Sequence, residues 1–535
     1  VRRYDAVVVG GGHNGLVCAA YLAGAGLAVC VLERRAVLGG AVVTEEFHPG
    51  FRNSAASYTV SLLDPTVIRE LRLAEHGLRI VPRPLANFLP LPDGRGLALG
   101  GGLAATQAAL AAFSPRDAET LPTYYAMLDR VAAVLRDLLH ATPPNVGGGM
   151  RGLLAGWKVA KRFRALDLGG QRDALDLFAK SAGDVLDRWF ESEALKAAFG
   201  FDAVVGNFAS PYTPGSAYVL LHHVFGEVNG VRGSWGHAIG GMGSITQAMA
   251  SECASRGVAL RTNASVARVV VKGGRASGVE LESGEVVEAR RVVANVDPKR
   301  LFLQLVEPAQ LPDDFRARIQ GYRMGSATFR INVALSELPD FTARPGKAPQ
   351  PHHASGIIVA PSLGYMERAY FDAKASGWSR APIVEVLIPS VVDDTLAPPG
   401  MHVASLFCQH AHPDLPSVTS GRTWDDARDE VADVMIDAVN AVAPNFRASV
   451  VARKAWSPLD LERDFGLTGG DIFHGTLTLD QLFSARPVLG HADYRTPVRG
   501  LYMCGSGTHP GGGVTGIPGY NAAREILLDV RRRRR

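Results

Sequence analysis

Paired cysteines are missing from this 535-residue chain. Its five, Cys18, Cys30, Cys253, Cys408 and Cys504, are scattered with no CxxC among them. That pattern excludes a disulfide framework, a cysteine zinc site and a thiol-redox centre, and implies a reducing, cytoplasmic setting. Charge of one sign is missing too. The 56 basic and 52 acidic residues nearly balance, and the terminal run Arg531 to Arg535 more than supplies the excess. The neutral body carries no nucleic-acid footprint, and residues 531–535 read as a solvated basic tail. Residues 16–32 carry no charge but are short for a membrane span of about 20 residues and contain Gly24 and Gly26. No paired carboxylates, nucleophile elbow or metal-spaced histidines stand out. His352, His353, His410 and His412 lack ligand spacing and read as surface or loop histidines, so no metal is assigned.

Glycine, by contrast, is plentiful. The chain has 59, clustered rather than repeated, which indicates tight loops near a ligand. Residues 4–9 (YDAVVV) form an apolar run suited to a buried parallel strand. Gly10, Gly12 and Gly15 follow at GxGxxG spacing. The first allows a tight turn, the second lets a pyrophosphate approach the backbone, and the third lets the next helix pack on the strand. A helix over 16–25 and a second strand over 28–32 complete a β-α-β unit. Glu33 closes it at the place of the acid that grips a ribose 2′-hydroxyl, which disfavours NADP. Two other GxGxxG matches, at 147/149/152 and 511/513/516, lack a strand before them or an acid-tipped strand after them.

Beyond Glu33 the chain reads Arg34-Arg35, then Gly39-Gly40 and Thr44. ERRAVLGGAVVTEEFHPGF resembles the extension found in FAD enzymes of the glutathione-reductase-like superfamily, in the branch holding amine oxidases and phytoene desaturases. Residues 231–250, with a Gly-Gly-Met loop, and 500–527 resemble two further phytoene-desaturase segments. More narrowly, GGGHNGLVCAAYL, FGLTGGDIFHGTLTLDQLF and GTHPGGGVTGIPG look like the phytoene-desaturase-like subgroup of pyridine nucleotide-disulfide oxidoreductase domain-containing protein 2. The resemblance implies an α/β fold: a Rossmann-type FAD-binding domain with an inserted mixed α+β substrate domain. It implies FAD held by Gly10, Gly12, His13, Asn14 and Gly15, by Glu33 and Arg34, and by Gly39 and Gly40. Val266 would lie near the adenine. Gly505, Gly513, Gly516 and Ile517, in the last glycine loop and the helix after it, would lie under the flavin.

The FAD domain is expected in three pieces, 1–70, 229–300 and 490–530. Residues 71–228 read as a mainly helical lid and 301–489 as the substrate domain, with strands over 327–333, 355–359, 383–388 and 402–409 and a helix over 424–442. Residues 151–166 make a basic helix. Its ordinary reading is a solvated face, its alternative a peripheral membrane contact. His237, His474 and His509 are candidates for a base or hydrogen-bond donor beside the flavin.

The resulting expectation is an FAD-dependent desaturase or dehydrogenase that takes hydride from an apolar small molecule, such as an isoprenoid or lipid. Oxygen or a quinone is the expected acceptor. A flavin amine oxidase is one alternative; only 7% of residues are aromatic, and the C-terminal motif shows no aromatic cage for an amine. A flavin-binding scaffold or regulator is the other.

Overall fold

The computed structural model describes residues 3–145 and 148–534; Gly147 and Arg535 lie outside them. Five short parallel strands form the first sheet, in the order Ala259–Arg261, Val29–Leu32, Ala6–Val9, Val292–Ala294, Leu501–Met503. All are buried on both faces except the edge strand Ala259–Arg261, as their unbroken apolar sequences require. Alternation decides which layer each residue meets. Ala6, Val8, Val29, Val31 and Val293 pack with residues of the helices His13–Gly24, Gly243–Ser255 and Ile517–Arg534. Val7, Val9, Cys30, Leu32, Val292 and Ala294 pack instead against an antiparallel sheet of Val266–Lys272, Arg275–Leu281 and Val286–Glu288. The parallel sheet thus lies between a helical layer and a second sheet in one three-layer unit.

A seven-stranded sheet forms the second unit, ordered Val450–Trp456, Phe329–Leu335, His402–Ala411, Trp378–Leu387, Gly356–Val359, Asn87–Pro90, Gly96–Leu99. The helix Trp424–Asn440 shares its core. Two of its strands come from the segment expected to be helical. That segment is mainly helical only after residue 102, because Asn87–Pro90 pairs with the distant Gly356–Val359, a partner no local pattern reveals. Helices Pro115–Leu139, Ala182–Trp189, Glu193–Val204 and Ala217–His223 make a further layer.

Two local expectations need correction. His352, His353 and His410 are fully buried, not surface groups, and rings surround them: His352 lies 4.9 Å from Phe88 and His410 5.7 Å from Phe208. The last helix begins at Ile517, and it runs on through the arginine run to Arg534. The charge-free stretch 16–32 belongs to the first helix and second strand of the β-α-β unit, and among the described residues no helix is long and apolar enough to cross a membrane.

Candidate FAD and substrate site

At the C-terminal ends of the central strands, the turn 10–12 leads into the helix His13–Gly24. A Cβ on Gly15 would lie 2.3 Å from the Gly10 carbonyl oxygen, and one on Gly10 would lie 2.9 Å from that of Asn295. Gly10 also takes φ +97°, which a side chain disfavours. Gly12 caps the helix without a side-chain hydrogen bond, leaving the first-turn N–H groups with no side-chain cap. Glu33 sits at the tip of the second strand, its carboxylate accepting from Gly11 N–H at 2.8 Å and Arg35 N–H at 2.9 Å. Gly39 N–H donates to the Gly11 carbonyl at 2.9 Å, which brings Gly40 beside Gly12.

These elements wall a cleft of about 860 Å³ lined by Gly10, Gly12, His13, Asn14, Glu33, Arg34, Gly40 and Val266. Eight of the residues named from sequence therefore face one cavity. Gly15 and Gly39 support its wall from behind. The sequence reading missed Asn295, whose Nδ2 donates to the Gly10 carbonyl at 3.1 Å, and Arg300, both of which line the cleft. Arg34 and Arg300 face the cleft together, and burial followed by the Arg300 charge lowers the Arg34 pKa, a setting that an anion would relieve.

A second cavity of about 1060 Å³ adjoins the first. His13, Ala41, Leu467, His474 and Ser506 line both. Its walls include Val42, Leu62, Phe201, Val205, Phe407, Ile472 and Phe473. Gly513 and Val514 are the members of the last glycine loop that reach it besides Ser506. Gly505, Gly516 and Ile517 line neither cavity. A Cβ on Gly505 would lie 3.2 Å from Asn295 Oδ1, and one on Gly516 3.2 Å from Val67, so both serve close packing. The aromatic lining is richer than the composition suggested. Tyr58, Phe201, Trp235, Phe407 and Phe473 converge there from separate segments. Tyr58 and Phe407 stack at 5.0 Å, and the buried Arg330 guanidinium covers them at 4.5 and 5.8 Å.

The polar groups of this cavity are few. Asp202 faces it, and burial, followed by the charge of Glu385, pushes its pKa up to about 8. Glu385 accepts a 2.6 Å hydrogen bond from the Tyr58 hydroxyl, and burial raises its pKa as well. At the junction, burial lowers the pKa of both His13 and His474, that of His13 to about 3. His13 Nε2, Asn14 Oδ1 and His474 Nδ1 are buried without a hydrogen-bond partner. Orphaned polar atoms beside a helix N-terminus and a glycine cradle fit FAD, which the residues of the first cavity would hold.

The other two candidate histidines are held elsewhere. His237 Nε2 pairs with Asp393 at 2.8 Å, and His509 Nε2 meets the Leu138 carbonyl at 2.9 Å; neither lines either of these two cavities. We expect His474→Gln to shift the flavin absorbance and slow flavin reduction. His237→Gln and His509→Gln should keep the spectrum and lose about 1–3 kcal/mol of stability. Equal spectra and reduction rates for all three would refute this assignment.

Residues 15–331 match the family described as flavin containing amine oxidoreductase. A mouse (Mus musculus) protein, pyridine nucleotide-disulfide oxidoreductase domain-containing protein 2, is 44% identical, with 99% of this chain and 94% of that protein covered. A component of the limonene dehydrogenase of Castellaniella defragrans is 26% identical, covering 99% and 95%. The lycopene-forming phytoene desaturase of Pseudescherichia vulneris is 25% identical, covering 98% of each chain. Among solved structures, cyclohexylamine oxidase from Brevibacterium oxydans superposes with a TM-score of 0.58 at 17% identity, covering 99% of this chain and all of that one, and so shares the fold. The chain belongs to the flavin-containing amine oxidoreductase family and is an FAD-dependent oxidoreductase.

Proposed function

We propose that the chain is a dehydrogenase or desaturase of the phytoene-desaturase-like branch, acting on an apolar small molecule held in the second cavity. The observation that carries this reading is the continuity of that largely apolar cavity with the nucleotide cleft through His13, Ala41, Leu467, His474 and Ser506. Relatives named for limonene and phytoene support it. FAD bound in the cleft supplies the hydride acceptor. The chain itself confines the substrate, excludes water with its aromatic walls and offers Asp202 as the group that holds a proton. In this reading the flavin is reoxidised by oxygen or a quinone.

A raised carboxyl pKa has a definite sign. Below about pH 8 Asp202 is protonated, and above it the carboxylate is free to accept a proton. The rate of flavin reduction should therefore rise with pH through that value. Asp202→Asn should abolish the rise and slow the step about 100-fold at high pH. An unchanged profile in the variant would remove Asp202 from the chemistry.

Amine oxidation is the second reading, favoured by the two carboxyl groups, Asp202 and Glu385, set among aromatic rings. Against it, the Arg330 guanidinium already covers the Tyr58–Phe407 pair. Anaerobic mixing with cyclic and acyclic isoprenoids on one side and primary amines on the other separates the two. Bleaching of the oxidised flavin band by isoprenoids and not by amines is the expected result. Bleaching by amines alone overturns the proposal, and a flavin that nothing reduces, and that no acceptor reoxidises once photoreduced, points to a scaffold.

A further inference from the structure

Helix Gly149–Arg164 is turned the wrong way round for a surface helix. Met150, Leu153, Leu154 and Trp157 recur at i, i+3, i+4 and i+7, the spacing that normally marks a core-facing stripe. Here the stripe faces outward, with exposures of 73%, 70%, 57% and 61%. The half-buried side is instead Ala155, Val159 and Phe163. On the next helix, Leu168–Ala179, Leu168 and Leu175 are exposed at 61% and 66%. The ordinary solvated face expected from the sequence is thus replaced by an apolar one.

Its charge is as one-sided as its hydropathy. The first helix holds five basic residues and no acidic one. Among the described residues, Lys158, Lys161, Arg164 and, on the second helix, Arg172 are exposed and form no ion pair. Nearby acids are already engaged: Asp173 pairs with Arg130 at 2.8 Å, Asp176 with Lys180 at 3.0 Å, and Asp167 caps its own helix. Lys161 reaches over the Trp157 ring at 5.6 Å, the pose of a cation beside an interfacial tryptophan.

We propose that this face docks on an anionic lipid bilayer. Apolar side chains and Trp157 enter the headgroup boundary while the flanking cations meet lipid phosphates. A second copy of the chain suits the face poorly, since it would set two uncompensated cationic surfaces together. The same helical layer carries Phe201 and Val205, which line the second cavity, so docking would place that layer against the source of a lipid-soluble substrate. The docking proposal stands whatever the cavity binds.

The test is flotation of the flavin-loaded full chain with vesicles of phosphatidylcholine alone or with phosphatidylglycerol added, at low and high salt. The expected result is flotation with the anionic vesicles at low salt, and at least a 10-fold loss with neutral vesicles or at high salt. The pair Leu153→Ser and Trp157→Ser should lose at least 10-fold, as should Lys158→Gln with Lys161→Gln and Arg164→Gln. Unchanged flavin content shows that both variants remain folded. Failure of the loaded wild type to float, equal binding to neutral vesicles, or variants that bind like wild type would each overturn the proposal. So would a dimer that the Trp157 variant dissolves without any flotation.

Discussion

Replacing Gly15 by alanine is expected to give a folded protein that purifies with little or no flavin. The added Cβ would lie 2.3 Å from the Gly10 carbonyl oxygen and 2.8 Å from Asn295 Nδ2. Neither neighbour is the free end of a flexible side chain. Gly10 is the tight turn itself, and Asn295 is tied to that turn by its own hydrogen bond. The helix must therefore move off the strand, which carries its N–H groups away from the phosphates. Overpacking of this kind costs about 3 kcal/mol at its upper range, and about 1.4 kcal/mol corresponds to tenfold in affinity, so FAD should bind roughly 100-fold more weakly. Gly156→Ala, on the exposed helix with no atom within 4 Å of the new Cβ, is the control and should keep its flavin. Flavin-to-protein ratio and titration of apoprotein with FAD measure both. A fully loaded Gly15→Ala protein would mean that the cradle tolerates a displacement its geometry forbids.

The nucleotide cleft was legible because its requirements are local. A tight turn, a close helix and an acid at the next strand tip fall within the first few dozen residues, and each dictates a residue type. Gly10, Gly12 and Glu33 line the cleft for that reason, and His13, Asn14, Arg34 and Gly40 line it as the resemblance implied. Val266 reached it through resemblance, since nothing in its own strand marks it. The second cavity had no comparable signal. Tyr58, Asn87, Phe201, Asp202, Trp235, Glu385 and Phe407 come from separate parts of the chain and share neither period nor spacing. Low aromatic content misled for the same reason, because composition counts rings without saying where they gather. His474 was named from its glycine-rich setting, but only burial and position separate it from His237 and His509. The strand Asn87–Pro90 was lost among helices because its sheet partner lies far along the chain.

The last glycine loop shows how resemblance and packing divide the work. Its motif was expected to lie under the flavin as a whole, yet its glycines have different tasks. Gly513 opens on the second cavity, while Gly516 and Gly519 set how closely the last helix lies on its neighbours; a Cβ on Gly519 would be 2.1 Å from the Asn14 carbonyl oxygen. The first helix, which presents its N-terminus to the nucleotide, is thereby braced by the last one. A glycine motif in this fold therefore reports two contacts, one with the cofactor and one between the helices that hold it.

Arg486→Met should be the most damaging single substitution outside the nucleotide cradle. The Arg486 side chain is fully buried, and among the described residues it forms no ion pair. Its guanidinium donates instead to backbone carbonyls: Ser506 at 2.8 Å, Phe473 at 2.6 Å, Gln481 at 3.1 Å and, more loosely, Gly475 and Thr476. A planar fork with five N–H groups is the one side chain able to join carbonyls on both sides in this way. Methionine fills much of the volume but leaves these acceptors buried and unpaired, so the loss should be about 3–5 kcal/mol. Lysine keeps the charge and reaches fewer carbonyls, so Arg486→Lys should lose roughly half as much. The two joined segments carry His474 and Ser506, which line both cavities, and Phe473, which lines the second. Loss of stability should therefore come with a shifted flavin spectrum in both variants, larger for methionine. Urea unfolding of the flavin-loaded proteins measures the first effect and absorbance the second. Stability within about 1 kcal/mol of wild type for Arg486→Met would show that backbone rearrangement or water can replace the fork.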